Sequence, residues 1–281
     1  MMIEEESAER LIDQAMANPI KNVFKIGWEA VIINKTTMIG AISILILLGL
    51  VGLVPQVGIP IAVISATLMV SAQIYIARVF ENADDMHSFA SDIEQITLNG
   101  LLRTHFMTAL GSYFAWVVLF LVPLVLTLLT MPQDIGTLNP ESIMHLAKNF
   151  IPFLIFILVI LYVQPLVQYN IIKAEGFSSG FKAVFTLFSS ALWSRAMSAS
   201  YFSYIAKFGL VIFFLMFLFG MVLGLLASIF GFPMEEMAKD MSPIFQMIIG
   251  SINTLFTFLF MIIMSIFIML AYKISQSNEV N

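Results

Sequence analysis

Six long apolar stretches, separated by short polar segments, dominate the pattern of hydrophobic positions along the chain. A helix needs about 20 residues to cross the hydrocarbon core of a bilayer, and each stretch is close to this length or longer. The stretches are residues 38–54, 57–77, 106–130, 150–172, 208–232 and 243–272. The pattern therefore predicts an all-α, polytopic membrane protein with six transmembrane helices.

A shorter amphipathic segment precedes each pair of spans. Its apolar residues recur every three or four positions opposite a polar face, as in a helix that lies at a membrane surface. The three apolar faces consist of Ile20, Val23, Phe24, Trp28 and Val31; of Met86, Phe89, Ile93, Ile96 and Leu101; and of Phe181, Val184, Phe188, Leu192 and Met197. We expect three hairpins of spans, each preceded by a cytoplasmic amphipathic helix that serves as a connector or, alternatively, binds a partner.

This pattern divides the chain into one domain and two tails. A single six-helix transmembrane domain is expected over residues 19–275. Residues 1–18 are expected to form a solvated, partly helical, acidic cytoplasmic tail, and residues 276–281 a second cytoplasmic tail.

The basic residues are divided unevenly between the two sides of the six-span arrangement. Of 13 lysines and arginines, 11 fall on one side, and only Lys148 and Lys239 fall on the other. Loops rich in lysine and arginine stay in the cytoplasm. We therefore expect both termini to be cytoplasmic, in a multi-pass protein of the bacterial inner (plasma) membrane.

The composition excludes several classes of protein. The chain is 60% hydrophobic and 11% charged, whereas soluble domains have roughly 45–50% apolar and about 25% charged residues. Since there is no cysteine, a disulfide scaffold, a thiolate metal site and a cysteine nucleophile are excluded. The net charge of −5 argues against a nucleic-acid partner, and no cofactor is expected.

The predicted spans contain no Asp, Glu, Lys, Arg or His. Proton-coupled transporters and pumps use such residues, because a charge inside the membrane is costly and is retained for a function. A proton- or ion-driven transporter is therefore disfavoured, whereas a passive path lined by amides or backbone groups is not excluded.

The fourth span carries the densest polar cluster within the membrane. Gln164 and Gln168 lie one turn apart on the same face, and Asn170 follows them. Pro165 removes a backbone donor from this region. The amides could hydrogen-bond to a neighbouring helix, such as the one that carries Gln73, or line a cleft for a lipid headgroup. Helix packing is the favoured interpretation, and the cleft is the alternative.

Gly220, Gly224 and Ser228 form a stripe of small residues on the fifth span, which favours close helix packing within the chain over a homodimer contact.

Residues 176–180, Gly-Phe-Ser-Ser-Gly, match the nucleophile-elbow pattern but follow a membrane helix instead of a strand. We expect Ser178 to cap the next helix and not to act as a nucleophile.

The order of elements around the fourth span is also recognisable. A helix with a proline inside the membrane is followed by a Glu-Gly turn, an amphipathic helix and a further helix. The residues concerned are Gln164-Pro165-Leu166 through Ile171, Glu175-Gly176-Phe177, Phe181-Lys182-Ala183 and the helix after Arg195. This order, over residues 163–200, resembles the YciC-like inner-membrane proteins and the membrane domain attached to some glycerophosphodiester phosphodiesterases. The resemblance implies an all-helical inner-membrane domain without assigned chemistry.

Three functions are compatible with these features. The favoured one is a non-enzymatic component of the membrane, either a subunit or scaffold of a complex or a lipid-organising protein. The second is a passive or accessory transport domain with a polar path past the fourth helix, and the disfavoured third is a lipid-modifying enzyme. The expected partners are membrane lipids together with a protein partner or a second copy of the chain.

The uneven distribution of basic residues predicts the topology. Reporter fusions after Gln56, Leu138 and Met241 should report periplasmic positions, and fusions after Ala90, Ser189 and Asn278 should report cytoplasmic ones. A periplasmic signal at Asn278 would overturn the six-span arrangement.

Overall fold

The computed structural model describes residues 10–129, 140–229 and 243–276, and every regular element in these ranges is helical. A short 3₁₀ helix, Phe185–Phe188, lies between α9 and α10. The α-helices are α1 (Leu11–Ala15), α2 (Pro19–Ile33), α3 (Lys35–Val51), α4 (Gly58–Asn82), α5 (Met86–Glu94), α6 (Leu98–Arg103), α7 (Phe106–Leu129), α8 (Pro140–Lys173), α9 (Gly176–Val184), α10 (Ser190–Ala196), α11 (Ala199–Ile229) and α12 (Pro243–Gln276).

The exclusively helical content of the described ranges confirms the predicted all-α class, and five of their helical segments are long and apolar enough to cross a membrane. They are Gly58–Asn82, Leu98–Val125, Ile151–Lys173, Ala199–Met221 and Met247–Gln276. A sixth candidate is the pair α2 and α3, whose axes meet at 90°. The first predicted span coincides with α3, which has only 17 residues.

The corner between α2 and α3 is held by Asn34. Its side-chain amide donates to the carbonyl oxygens of Ile93 at 2.9 Å and Ile96 at 2.8 Å, and its side-chain oxygen accepts from the backbone N–H of Thr37 at 3.2 Å. The same side chain therefore caps α3 and satisfies the carbonyl groups at the end of α5.

The last helix, α12, forms the centre of the bundle. Half of its apolar span (50%) is buried, the largest share among the spanning candidates, and it packs against α2, α3, α4, α8 and α11. Gly27 of α2 allows close approach, since an added Cβ would lie 3.0 Å from the Cα atom of Ile263. Phe267 stacks on Phe208 of α11 with ring centroids 3.8 Å apart.

By contrast, α11 contributes little to the core, with 11% of its span buried. A Cβ built on Gly220 or Gly224 meets no atom within 4 Å. Within the described residues, the predicted small-residue stripe therefore does not lie at a close contact between helices. The side chain of Ser228 is outside the described part of the chain.

The helices α7 and α9 approach each other backbone to backbone at two glycines. A Cβ on Gly111 would collide with the carbonyl group of Phe177, and one on Gly180 with the carbonyl group of Thr108. The hydroxyl of Thr108 also accepts from the backbone N–H of Gly176 at 2.9 Å. Glycines at both crossing points let the two backbones touch, as small residues do between membrane helices.

This crossing explains both ends of the Gly-Phe-Ser-Ser-Gly motif. Gly176 has φ of +77°, which favours glycine, and Gly180 lies against α7. The expected cap at Ser178 is wrong, because α9 begins at Gly176 and Glu175 occupies the cap position.

Of the three predicted amphipathic faces, the second agrees best with the observed burial. Phe89, Ile93, Ile96 and Leu101 are all buried. In the first segment, the buried residues are Val23, Ile26, Gly27 and Ala30, so the inward face is rotated from the predicted one and Trp28 is exposed.

The third predicted amphipathic helix is not continuous. It consists of α9, the 3₁₀ helix and α10, and Phe188 and Met197 are 67% and 73% exposed. The contact of Gly180 with α7 turns the small residues of α9 inward and leaves a row of phenylalanines outside. In that row, Phe177, Phe181, Phe185 and Phe188 contact one another in sequence.

The expected solvated tail also needs correction. Within residues 1–18, the side chains of Leu11, Ile12 and Ala15 are buried against the bundle, and Asp13 forms an ion pair with Lys273 of α12 at 2.9 Å. The folded unit therefore includes α1, because its apolar residues complete one end of the core. Residues 1–9 and 277–281 lie outside the described residues.

The glycine contact predicts opposite effects of two similar substitutions. Gly180→Ala should destabilise the protein by about 1–3 kcal/mol or more, because the new methyl group meets backbone atoms of α7 that cannot rotate away. Gly220→Ala is the matched control and should be neutral or stabilising by up to about 1 kcal/mol, since it improves helix propensity in open space. Thermal unfolding in detergent would measure both, and equal stability of the two variants would contradict the contact.

Candidate functional site

A cavity of about 510 Å³ lies between α4, α7, α8, α11 and α12. This volume falls within the usual range of small-molecule sites. Its walls are mainly aliphatic and aromatic side chains. Among the described residues that line it, the polar ones are Gln73, Ser112, Tyr113, Trp116, Gln164 and Gln168, and none is charged.

The cavity opens sideways, between α8 and α11. Leu161 and Gln164 of α8 and Gly209 of α11 line it and are exposed. The space beside Gly209 is empty, since a Cβ added to this residue would meet no atom within 4 Å. Because α8 and α11 are both candidates for crossing the membrane, the opening faces the region that lipid would occupy.

Two of the glutamines singled out in the sequence meet at the inner wall. The side-chain nitrogen of Gln168 donates to the side-chain oxygen of Gln73 at 2.9 Å. Gln73 and Gln168 are 3% and 7% exposed, respectively. The backbone carbonyl of Gln73 also accepts from the hydroxyl of Ser265 at 3.1 Å. Gln73 thereby connects α4 to both α8 and α12.

The other two candidate amides are placed differently. Gln164 lies at the exposed mouth of the cavity, one turn from Gln168. Asn170 does not line the cavity, and its side chain donates to the hydroxyl of Thr186 at 3.0 Å. It holds α8 against the 3₁₀ helix and therefore has a packing role.

The amide pair keeps unused hydrogen-bonding capacity. A glutamine side chain offers two N–H donors and a carbonyl oxygen that accepts twice. Within the described part of the chain, the bond between Gln168 and Gln73 is the only side-chain hydrogen bond of either residue. The N–H groups of Gln73 and the carbonyl oxygen of Gln168 have no further protein partner there.

An apolar groove of about 390 Å³ continues from the cavity along α7. Tyr113 and Trp116 line both, and the groove then follows Val117 and Phe120 to Leu124. From Tyr113 to Leu124 the helix rises about 16 Å. This is about half the thickness of the hydrocarbon core, so the groove has the length of one leaflet.

Two stacked tyrosines lie at the other side of the amide pair. The rings of Tyr169 and Tyr272 are 3.4 Å apart, and the guanidinium group of Arg195 donates to the hydroxyl of Tyr272 at 2.9 Å. Tyr169 directly follows Gln168 in α8, and Tyr272 lies one turn beyond Ile268 in α12. Neither ring lines the cavity, so the stack lies outside its wall.

Beyond the tyrosines lies the charged end of the bundle. A second cavity of about 140 Å³ is lined there by Arg10, Asp13, Glu81 and Lys273, among others. Glu81 pairs with Lys173 at 2.5 Å.

Arg78 belongs to the same end of the bundle. It donates to the carbonyl groups of Ile172 at 2.7 Å and Ala174 at 2.8 Å, and so satisfies the last turn of α8. The charged side chains of these contacts thus lie at one end of the described bundle, outside the cavity.

Several of the lining residues could not be recognised from the sequence. Gly209 is a single small residue in an apolar helix, and only its position at the cavity gives it a role. The same is true of Ser265, which does not line the cavity but donates to the backbone carbonyl of Gln73. Tyr113 and Trp116 could have been noted in the sequence, because each combines a large apolar ring with a hydrogen-bonding group, and such residues are enriched where apolar and polar surroundings meet.

Comparison of the chain with protein-family models, curated proteins and solved structures found no match.

The Gln73–Gln168 bond predicts a measurable coupling between two helices. In a double-mutant cycle in detergent, Gln73→Leu and Gln168→Leu should be non-additive, with a coupling of about 0.6 kcal/mol and at most about 1.7, as for other hydrogen bonds between membrane helices. Gln73→Leu combined with Asn170→Leu should be additive, because Asn170 bonds elsewhere. Coupling in the control pair alone would contradict the assignment.

Proposed function

We propose that this chain is a non-enzymatic integral protein of the bacterial inner membrane that holds a membrane lipid in its lateral cavity. It would act as a lipid-organising component or as the lipid-bound subunit of a membrane complex. The observation that carries this proposal is the sideways opening between α8 and α11, which places a buried amide pair within reach of a molecule that enters from the bilayer.

The shape and chemistry of the site support a lipid as the occupant. Most of its wall is apolar, and the groove along α7 continues for about one leaflet, the length of a lipid chain. A water-soluble metabolite would gain little from such walls, whereas a hydrocarbon chain would replace lipid contacts with protein contacts of similar kind.

The lining residues also favour binding over catalysis. General acid–base chemistry requires a group that exchanges a proton near neutral pH. The described lining residues include amides, hydroxyls and an indole but no carboxylate, histidine or lysine. A lipid-modifying enzyme is therefore not proposed.

An accessory transport domain is the second candidate. Two cavities lie in series along α8 and α12, one apolar with amides and one charged. The two share no described lining residue, and the stacked rings of Tyr169 and Tyr272 line the charged one, which favours a binding site without an exit toward the charged end over a continuous path.

We further propose that α3 completes a set of six spans in three hairpins and that the charged end faces the cytoplasm. Arg78, Lys173 and Lys273 all take part in contacts at this end, in keeping with the excess of basic residues in cytoplasmic loops. The resemblance of residues 163–200 to YciC-like proteins fits this arrangement. The amide pair would then lie in the cytoplasmic leaflet.

A cavity-filling substitution tests the proposed function. Gly209→Phe should place a ring in the cavity and abolish a one-to-one lipid adduct in native mass spectra of the protein extracted from membranes. Gly220→Phe introduces the same side chain into open space on the same helix, outside the cavity, and should leave the adduct intact. Retention of the adduct by Gly209→Phe, or its absence from the unaltered protein, would refute lipid binding at this site.

A further inference from the structure

We propose that the molecule held in the cavity is an uncharged lipid alcohol, such as a diacylglycerol, whose hydroxyl group binds the Gln73–Gln168 pair. This assignment rests on the proposed function and specifies its ligand. Three features of the site lead to it: the hydrogen-bonding groups left on the amide pair, the absence of charge among the described lining residues, and the depth of the pair below the charged end.

The first feature is the combination of groups that the pair leaves free. When one amide donates to the other, N–H groups remain on the acceptor and a carbonyl oxygen remains on the donor, whichever residue takes each role. A hydroxyl group can accept from the N–H and donate to the carbonyl at the same time. An ester or ketone oxygen can only accept, and would leave the carbonyl without a partner.

The burial of the pair makes the difference between a hydroxyl and an ester oxygen important for binding. Gln73 and Gln168 are both more than nine-tenths buried, at a depth where no water is expected from the surrounding lipid. An unpaired polar group in such surroundings is costly. The ligand that satisfies both a donor and an acceptor should therefore be selected over one that satisfies only the donor.

The second feature is the absence of a counter-charge. No Lys, Arg, Asp or Glu occurs among the described residues that line the cavity or the groove along α7. A phosphate or ammonium group inside the cavity would lose its hydration without an ion partner, which is far more costly than burial of a neutral hydroxyl.

The third feature is depth. Gln168 precedes Lys173 by five residues, and Gln73 precedes Arg78 by five, so the pair lies about 7.5 Å from these cations along each helix. The stacked rings of Tyr169 and Tyr272 lie on the side toward the charged end. A charged headgroup would remain near the cations, whereas the small neutral head of a lipid alcohol can reach the pair.

The chain of such a lipid has a path on the protein surface. From the amide pair, the cavity continues past Tyr113 and Trp116 into the groove that ends at Leu124. The polar end and the hydrocarbon of one molecule would therefore occupy the two connected spaces.

A competition among lipids with the same acyl chains tests the assignment. The full-length protein is exchanged into a detergent mixture with equimolar dioleoylglycerol, 1,2-dioleoyl-3-acetylglycerol and dioleoylphosphatidylglycerol, and the adducts are counted by native mass spectrometry. Dioleoylglycerol should be bound about tenfold or more in preference to each of the others, since the acetyl ester removes the hydroxyl and the phosphate adds an unpaired charge.

Substitutions then identify the groups responsible. Gln168→Leu should reduce the preference for dioleoylglycerol over its acetyl ester about five- to tenfold. Asn170→Leu removes an amide of the same helix outside the cavity and should leave the preference unchanged. The competition with the unaltered protein decides the question even if Gln168→Leu proves unstable.

The outcomes separate the two proposals. If the acetyl ester or phosphatidylglycerol binds as well as dioleoylglycerol, and Gly209→Phe still displaces it, the lipid alcohol is wrong while lipid binding in the cavity stands. If none of the three lipids forms an adduct that Gly209→Phe removes, the proposed function fails as well. A tenfold preference that is lost in Gln168→Leu and kept in Asn170→Leu supports both.

Discussion

The hydrogen bonds of Gln73 hold together the part of the bundle on which the site depends. Its side chain accepts from Gln168 of α8, and its backbone carbonyl accepts from Ser265 of α12. The hydrophobic effect does not drive helices together in lipid, so close packing and hydrogen bonds must do so. The cavity borders this junction, since Gln73 and Gln168 line it together with residues of α7, α11 and α12.

Close packing between helices also stabilises the bundle, and it determines which side chains lie on its surface. Gly111 and Gly180 let α7 and α9 meet backbone to backbone, so the bulky residues of α9 cannot face α7. The phenylalanines from Phe177 to Phe188 consequently form an outer row, beside Phe114 of α7. The two glycine contacts thus determine which face of α9 is directed away from α7.

Much of the fold could be predicted because a span of about 20 apolar residues has few alternatives in a helical protein. Gln73 and Gln168 could also be selected in advance, since an amide inside hydrocarbon needs a partner. The third amphipathic helix could not be predicted correctly, because its break follows from the contact of Gly180 with a distant helix. Burial of α1 and the open surroundings of Gly220 likewise depend on which helices pack against one another. The periodicity of a single segment does not indicate its packing partners.

The packing and ligand-binding interpretations of the glutamine face are compatible in this structure. A hydrogen bond between two amides joins the helices but uses only part of their hydrogen-bonding capacity, and both residues line the cavity. Asn170 shows the contrasting case, in which an amide bonds to a hydroxyl and does not line this cavity. Gln73 and Gln168 therefore differ from Asn170 in that they border the cavity, which neither residue type nor helical spacing reveals.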